Sequence, residues 1–261
     1  MAQFDHAVYW EERLAGSSGL EGVGYIGLGH AFNEWMYRVR RAVFRRTVSH
    51  HIPDASGKRV LDIGSGTGEY LRLWSQLGAG TITGSDLTAT AVERLSAEFK
   101  GMEIRRLDIS EPMVDPEQYD AVSCMDVLFH VVEPARFEQA IRNIHASLKP
   151  GGLFFLSANF VHRPSEGHEH FKLRTLADYE EVLGPSNFRI LERRPMFHLM
   201  NYPADSTSPL LHRWWGFVIR TCHKSHTLGG LLGALLFPLE SLLVRFRREG
   251  VSTEIMVCMA E

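Results

Sequence analysis

From about Lys58 onward, short apolar runs alternate with segments of helical period. The runs predict strands at 59–63, 81–86, 102–107, 119–125, 152–158, 187–198 and 253–259. Helical patterns at 67–77, 88–99 and 134–148 separate the first five, an order that calls for parallel βαβ units with right-handed crossovers. A further helix is predicted over 175–183, where Thr175 with Asp178 three residues on has the form of a capping box. Upstream, Phe32, Met36, Val39 and Val43 recur at helical spacing and predict a helix over 31–49, whose other faces carry Arg38, Arg40, Arg41, Arg45 and Arg46. Residues 202–250, between the last two strands, are too many and too apolar for a solvated loop and predict helices packed over the domain. Their greasiest part, Leu228 to Val244, is interrupted by Pro238 and Glu240, so a membrane span is not expected.

Composition narrows the picture only a little. A chain of 261 residues, 44% hydrophobic and 23% charged, is enough for one α/β domain with one core. The net charge of -3 gives no global attraction to nucleic acid, so no nucleic-acid partner is expected. Cys124, Cys222 and Cys258 are far apart and form no CxxC, which points to buried free thiols in a reducing compartment rather than disulfides. The N-terminal MAQFDHAVYWEERL lacks the basic-then-apolar order of a signal peptide, and a cytoplasmic location is expected.

The strongest chemical signal is Val60-Leu61-Asp62-Ile63-Gly64-Ser65-Gly66-Thr67-Gly68-Glu69, an apolar strand running into a glycine-rich turn and then a helix. Glycines there let the backbone turn sharply and approach a ligand without Cβ groups in the way. Similar turns serve dinucleotides, and an NAD-dependent oxidoreductase is the reading from another class. The acid inside the strand end, Asp62, would repel a pyrophosphate but can accept bonds from an ammonium group or help order the turn.

These residues resemble motif I of the class I S-adenosylmethionine (SAM)-dependent methyltransferase family, of the small-molecule type. The resemblance continues for about a hundred residues, through Thr83-Gly84-Ser85-Asp86-Leu87, Arg106-Leu107-Asp108-Ile109, Tyr119 to Val131, and Leu148-Lys149-Pro150-Gly151-Gly152-Leu153. It implies a doubly wound α/β fold with a seven-stranded, mostly parallel sheet whose last strand is antiparallel. It also implies a helical lid over 1–57 and a SAM-binding domain over 58–261; the helical insertion, 202–250, departs from relatives with a short hairpin there and is expected from its own apolar residues to roof the acceptor site. By the same resemblance Tyr25, Asp62, Gly64, Ser65, Gly66, Asp86, Leu87, Asp108, Ile109, Met125 and His130 would bind SAM. Asp86 would take the ribose hydroxyls and Asp108 the adenine amino group. The carboxylates of Asp62, Asp86 and Asp108 should then converge on one cavity.

Methyl transfer from a sulfonium is an in-line displacement, so positioning of the acceptor supplies much of the rate. A base helps if the acceptor is a hydroxyl or amine, and His130, His168 and His170 are the candidates for it. His168-x-His170 with His162 has no fixed fourth ligand, and no metal is expected. In the lid, Tyr25, Trp35, Arg38 and Arg41 are candidates to hold a carboxylate, against the plainer reading of a solvated arginine face. The expected acceptor is a small, partly apolar metabolite, methylated on oxygen. The alternatives are a lipid or isoprenoid precursor methylated at the membrane surface, and a SAM-binding protein without catalysis. For the basic, apolar insertion, a roof or core role is preferred to a dimer interface, and both to peripheral membrane contact; monomer and homodimer stay open.

Overall fold

The predicted strands assemble into one sheet in the computed structural model, which describes residues 5–16, 19–113, 116, 118–163 and 170–261. The strands are β1 (Arg59–Ile63), β2 (Thr81–Asp86), β3 (Glu103–Arg106), β4 (Tyr119–Met125), β5 (Leu148–Ala158), β6 (Phe188–Pro195) and β7 (Glu254–Ala260). Their order is β3-β2-β1-β4-β5-β7-β6, with the pairs among β1 to β5 parallel and β7 antiparallel to both of its neighbours. This is the doubly wound sheet expected. The central strands are buried on both faces, which is why β1, β4 and β5 read as nearly continuous apolar runs. The order reverses between β1 and β4, and open sheets of this kind bind ligands in the crevice beyond the strand ends at such a point.

Helices cover both faces. On one lie α3 (Gly29–His51), α4 (Glu69–Gln76) and α5 (Ala89–Glu98); on the other lie α6 (Pro134–Ala146) and α7 (Leu176–Leu183). Thr175 and Asp178 form the predicted capping box at the start of α7. Two short N-terminal helices, α1 (His6–Gly16) and α2 (Leu20–Val23), precede α3, and the insertion folds into α8 (Pro209–Lys224) and α9 (His226–Phe246).

Three expectations about this periphery need correction. The segment 1–57 is not one lid: Phe32, Met36, Val39, Val43 and Phe44 of α3 are buried in the main core, and the cavity described below is lined from this segment by α1 and its approach, Val23 of α2 and Tyr37 of α3. The insertion does not roof that cavity, to which it contributes no lining residue; α9 packs on α3 instead, with Gly233 against Trp35 and Gly230 against Ala31. Nor do Pro238 and Glu240 break the apolar run, since α9 continues through both and is by length and composition long and apolar enough to cross a membrane.

An aromatic knot joins α3 and α4 to the sheet. The Phe44 ring lies 5.0 Å from Tyr70, 5.5 Å from Trp74 and 6.4 Å from Phe155, between centroids, and Phe44 is fully buried. Truncation there removes apolar contact and leaves a cavity that its neighbours on α4 and β5 cannot close. Phe44→Ala should cost about 3–5 kcal/mol in chemical denaturation; a loss below about 1 kcal/mol would mean that the knot is not a principal tie between helix and sheet.

Candidate active site at the strand switch point

The turn after β1 depends on glycine where its backbone enters left-handed space. Gly64 has φ +69°, and a Cβ there would come within 2.3 Å of the Val127 side chain. Gly66, at φ +53°, would meet Val23 at 2.9 Å. Both positions also face the cavity, so bare backbone forms part of its wall. The turn is held from below: Ser65 Oγ and Ser85 Oγ each donate to the Asp62 carbonyl at 3.1 Å, and the Ser65 N–H donates to the Ser85 carbonyl at 2.9 Å.

The three aspartates divide their tasks. Asp86 and Asp108 line one common cavity of about 790 Å³, together with Gly64, Ser65, Gly66, Leu87, Ile109 and Met125. Asp62 does not line it; its carboxylate lies beneath the turn, a correction to the expected convergence of all three. Asp62 Oδ1 accepts from Ser123 Oγ at 2.6 Å, and Ser123 Oγ in turn accepts from Trp74 Nε1 at 2.9 Å. Burial pushes the Asp62 carboxyl up to about 7. Asp86 Oδ2 accepts the Gly66 N–H at 2.8 Å and its Oδ1 the Thr88 N–H at 3.0 Å, while burial raises this carboxyl too. Asp108 is held by Arg136 Nη2 at 2.7 Å and by the Ser110 hydroxyl.

Two buried polar atoms at this end have no partner, Asp62 Oδ2 and Thr67 Oγ1. Buried polar groups are rarely left so. With the glycine cradle and two carboxylates on one cavity, the donor set fits a polar nucleoside bearing hydroxyl and amino donors. The size lies in the range of small-molecule sites.

Four further lining residues were not foreseen, Tyr37, Glu69, Tyr70 and Asp126; Trp10 and the expected His130 line the same cavity. Asp126 follows β4 at φ +60°, a strained value for a non-glycine residue. Its carboxylate accepts from Ser157 Oγ at 2.9 Å and is paired with Arg40, whose guanidinium is largely buried. That carboxylate keeps Arg40 charged against the cost of burial. Burial, with the Asp126 carboxylate nearby, pushes the Tyr37 hydroxyl up to about 12 against the opposing effect of Arg40.

His130 lines the same cavity, its ring edge-on to Trp10 at 4.8 Å. Its Nδ1 lies 2.8 Å from the His170 carbonyl. A carbonyl only accepts, so Nδ1 carries the hydrogen and the neutral ring keeps the lone pair on Nε2. Burial holds this imidazole down to about 4. Over the cavity, α1 is latched at several points: Glu11 accepts the Ala89 and Thr90 N–H groups at 2.7 and 2.8 Å, at the start of α5, and Arg94 Nη1 donates to the Leu14 carbonyl at 2.6 Å.

The remaining candidates lie elsewhere. Tyr25 is not at the cavity: it is 45% exposed, with its ring edge-on to Trp215 at 6.0 Å. His170 offers its main chain to His130, while its ring lies against Tyr9 at 5.4 Å and outside the cavity lining. His168 falls outside the described residues. His162 is exposed and paired with Asp205. Trp35 packs on α9, Arg38 reaches over Trp35 with its guanidinium 4.1 Å from the ring centroid, and Arg41 is taken up by Glu69 and Glu34. A signal for the missed residues does exist in the sequence: Tyr37, Arg40 and Phe44 recur at helical spacing on the inner side of α3, so Arg40 was the arginine of the run to single out.

Comparison with known proteins agrees with this geometry. Residues 60–152 match the family described as "Methyltransferase domain". A Ubiquinone biosynthesis O-methyltransferase from Pseudomonas aeruginosa (strain LESB58) is 40% identical over 107 residues, which is 39% of this chain and 44% of the relative. The chain thus matches less than half the length of such curated relatives. Among solved structures, magnesium protoporphyrin IX methyltransferase from Synechocystis PCC 6803 with bound SAM superposes over 100% of both chains, with a TM-score of 0.59 and 15% identity. The [4+2]-cyclase SpnF covers 83% of this chain and 79% of its own, with a TM-score of 0.53 and 19% identity. At such identities these two likenesses speak for the fold, and the second shows that the fold also serves other chemistry. The domain match, the sheet order and the glycine-and-aspartate cradle together give residues 60–152 the form of a methyltransferase domain.

Proposed function

We propose that this protein transfers the methyl group of SAM to a hydroxyl of a small, partly apolar molecule. The observation that carries the proposal is the continuity of one cavity from the Gly64–Gly66 turn, Asp86 and Asp108 to Tyr37, Tyr70, Asp126 and His130. A protein that only stores a nucleoside has no need of a second, differently furnished end. The names of the relatives support oxygen as the atom methylated.

In this reading the backbone of Gly64 and Gly66 lies against the amino-acid part of the cofactor, Asp86 accepts from the ribose hydroxyls and Asp108 from the adenine amino group, with Leu87 and Ile109 as apolar walls. SAM, when bound, supplies a methyl group on a sulfonium, a leaving group that needs no covalent help from the protein. The protein's part is to orient the acceptor, keep water out and take a proton. Tyr37 and Asp126 are the polar groups that hold the acceptor, and α1 covers the site from solvent. His130 is the proposed base, with Nε2 taking the hydroxyl proton while the Nδ1 hydrogen stays on the His170 carbonyl. With its pKa near 4 this imidazole is a weak base, so the larger share of the rate is assigned to positioning.

Three measurements test this reading. Asp86→Ala should weaken binding of SAM and of its demethylated product at least tenfold in titration calorimetry, since charge-assisted hydrogen bonds contribute about 1.5–3 kcal/mol each; unchanged affinity would remove the cofactor assignment. His130→Gln should lower kcat by about 10²–10⁴, read as product release with phenolic and alcohol acceptors, while affinity for the demethylated cofactor stays within a few-fold. Retention of full kcat would eliminate His130 as the base. Because burial depresses the His130 pKa, the ring remains unprotonated above it, so kcat/KM should hold level as pH falls from 8 to about 5.5 and drop only as the pH nears 4. An acid limb centred near the ordinary histidine value, about 6.5, would contradict the buried, neutral state of this group.

A further inference from the structure

We propose that the outer face of α8 and α9 rests on an anionic lipid surface, with α9 lying in the plane of the bilayer. Of the eleven large apolar side chains exposed among the described residues, eight belong to these two helices. On α9 they form one stripe, Leu228, Leu231, Leu235, Leu239, Leu242 and Phe246, at the three- and four-residue spacing of a single helix face. Leu235 is 77% exposed and Phe246 76%. At about 1.5 Å per residue the stripe runs for roughly 27 Å.

The charge beside it decides what the stripe faces. The exposed side of α8 carries Leu210, Arg213, Phe217, Arg220 and Lys224 at helical spacing, and α9 ends in Arg245, followed by Arg247 and Arg248. None of these six cations forms an ion pair among the described residues. Glu240 is the one carboxylate on α8 and α9, and it is buried, accepting the Leu199 N–H at 2.9 Å. A chain of net charge -3 therefore presents one face that is apolar and uniformly basic. Apolar area plus attraction to anionic headgroups is the pairing by which amphipathic helices bind at a membrane interface. A second copy of the chain fits less well, because a two-fold contact would bring the same cations face to face.

The opposite side of α9 shows why the helix lies flat instead of crossing. Gly229, Gly233, Leu236, Glu240 and Val244 are buried. Insertion would strip that face from α3 and carry the Glu240 carboxylate into hydrocarbon. Both are avoided when only the outward stripe enters the headgroup region.

Flotation of the full chain with vesicles of phosphatidylcholine containing phosphatidylglycerol tests the proposal. Binding is expected with the anionic lipid, at least tenfold weaker binding with phosphatidylcholine alone, and release as salt is raised. The double substitution Leu235→Glu/Leu242→Glu, at exposed positions, should reduce binding at least tenfold with affinity for the demethylated cofactor unchanged. Replacing Arg213, Arg220 and Lys224 by Ala should remove the preference for anionic vesicles. Absence of binding to any vesicle, equal binding to both kinds, or a dimer in light scattering that the double substitution dissociates would overturn it. The readout is lipid binding and needs no methyl acceptor, so failure here is separate from failure of the catalytic reading.

Discussion

A carboxylate buried under a glycine turn is the constraint from which the site follows. Asp62 is 1% exposed, and a charge taken out of water is costly unless hydrogen bonds replace its hydration. Here Trp74 donates to Ser123 and Ser123 to Asp62, which links α4, β4 and β1 in one line. The Asp62 carbonyl takes two serine hydroxyls and so fixes the turn against the end of β2. Every one of these groups is internal, so the turn keeps its shape whether or not a ligand occupies the cavity. Preorganisation of this kind reduces the ordering that binding must accomplish. It leaves Asp62 Oδ2 without a partner, and burial with no compensating cation holds the carboxyl near neutrality.

The part of the cavity around the glycine turn was legible because its rules are local. Strands buried on both faces must be apolar throughout, and the register Ile63↔Ser85 and Ile63↔Cys124 then brings the residues after β1, β2 and β4 to one edge. Glycine at positive φ leaves a mark in the sequence that few other residues can replace. The wall that carries Tyr37 has no such rule. Tyr37 reaches the cavity only because α3 packs across the sheet through Phe32, Val39 and Phe44, a tertiary fact with no local signature. The arginine run on α3 was ambiguous for the same reason. Arg38 and Arg45 are exposed, Arg41 is shared between two glutamates, and Arg40 alone turns inward to Asp126. A resemblance that assigned Tyr25 to the cofactor likewise overlooked how the chain before α3 would pack, with Asn33 Nδ2 donating to the Tyr25 carbonyl at 2.9 Å and the Tyr25 ring set against Trp215 of α8.

The insertion shows how a breaker signal is overridden. Proline inside a helix removes one hydrogen bond, and a glutamate in an apolar run ordinarily ends it. At Pro238 the lost bond is offset by packing, for α9 lies along α3 with Gly233 on Trp35. Glu240 has a structural use of its own. Its carboxylate takes the backbone N–H groups of His198 and Leu199, which follow β6 and have no ladder partner, so it binds helix to loop. The two residues that look like interruptions in one dimension are a tolerated kink site and a bracket in three.

The parts of the cavity also differ in how tightly physics restricts their sequence. The family match, 60–152, takes in the glycine turn, Asp86 and Asp108 together with Glu69, Tyr70, Asp126 and His130, and leaves out α1 and Tyr37. Around the turn a Cβ at Gly64 would strike Val127, Asp86 must accept two N–H groups, and β1, β2 and β4 must keep their register, so few substitutions survive. Elsewhere the walls come from α1, from α3 and from the residue after β4, elements that meet only in the folded chain. Each can vary so long as the cavity keeps its outline.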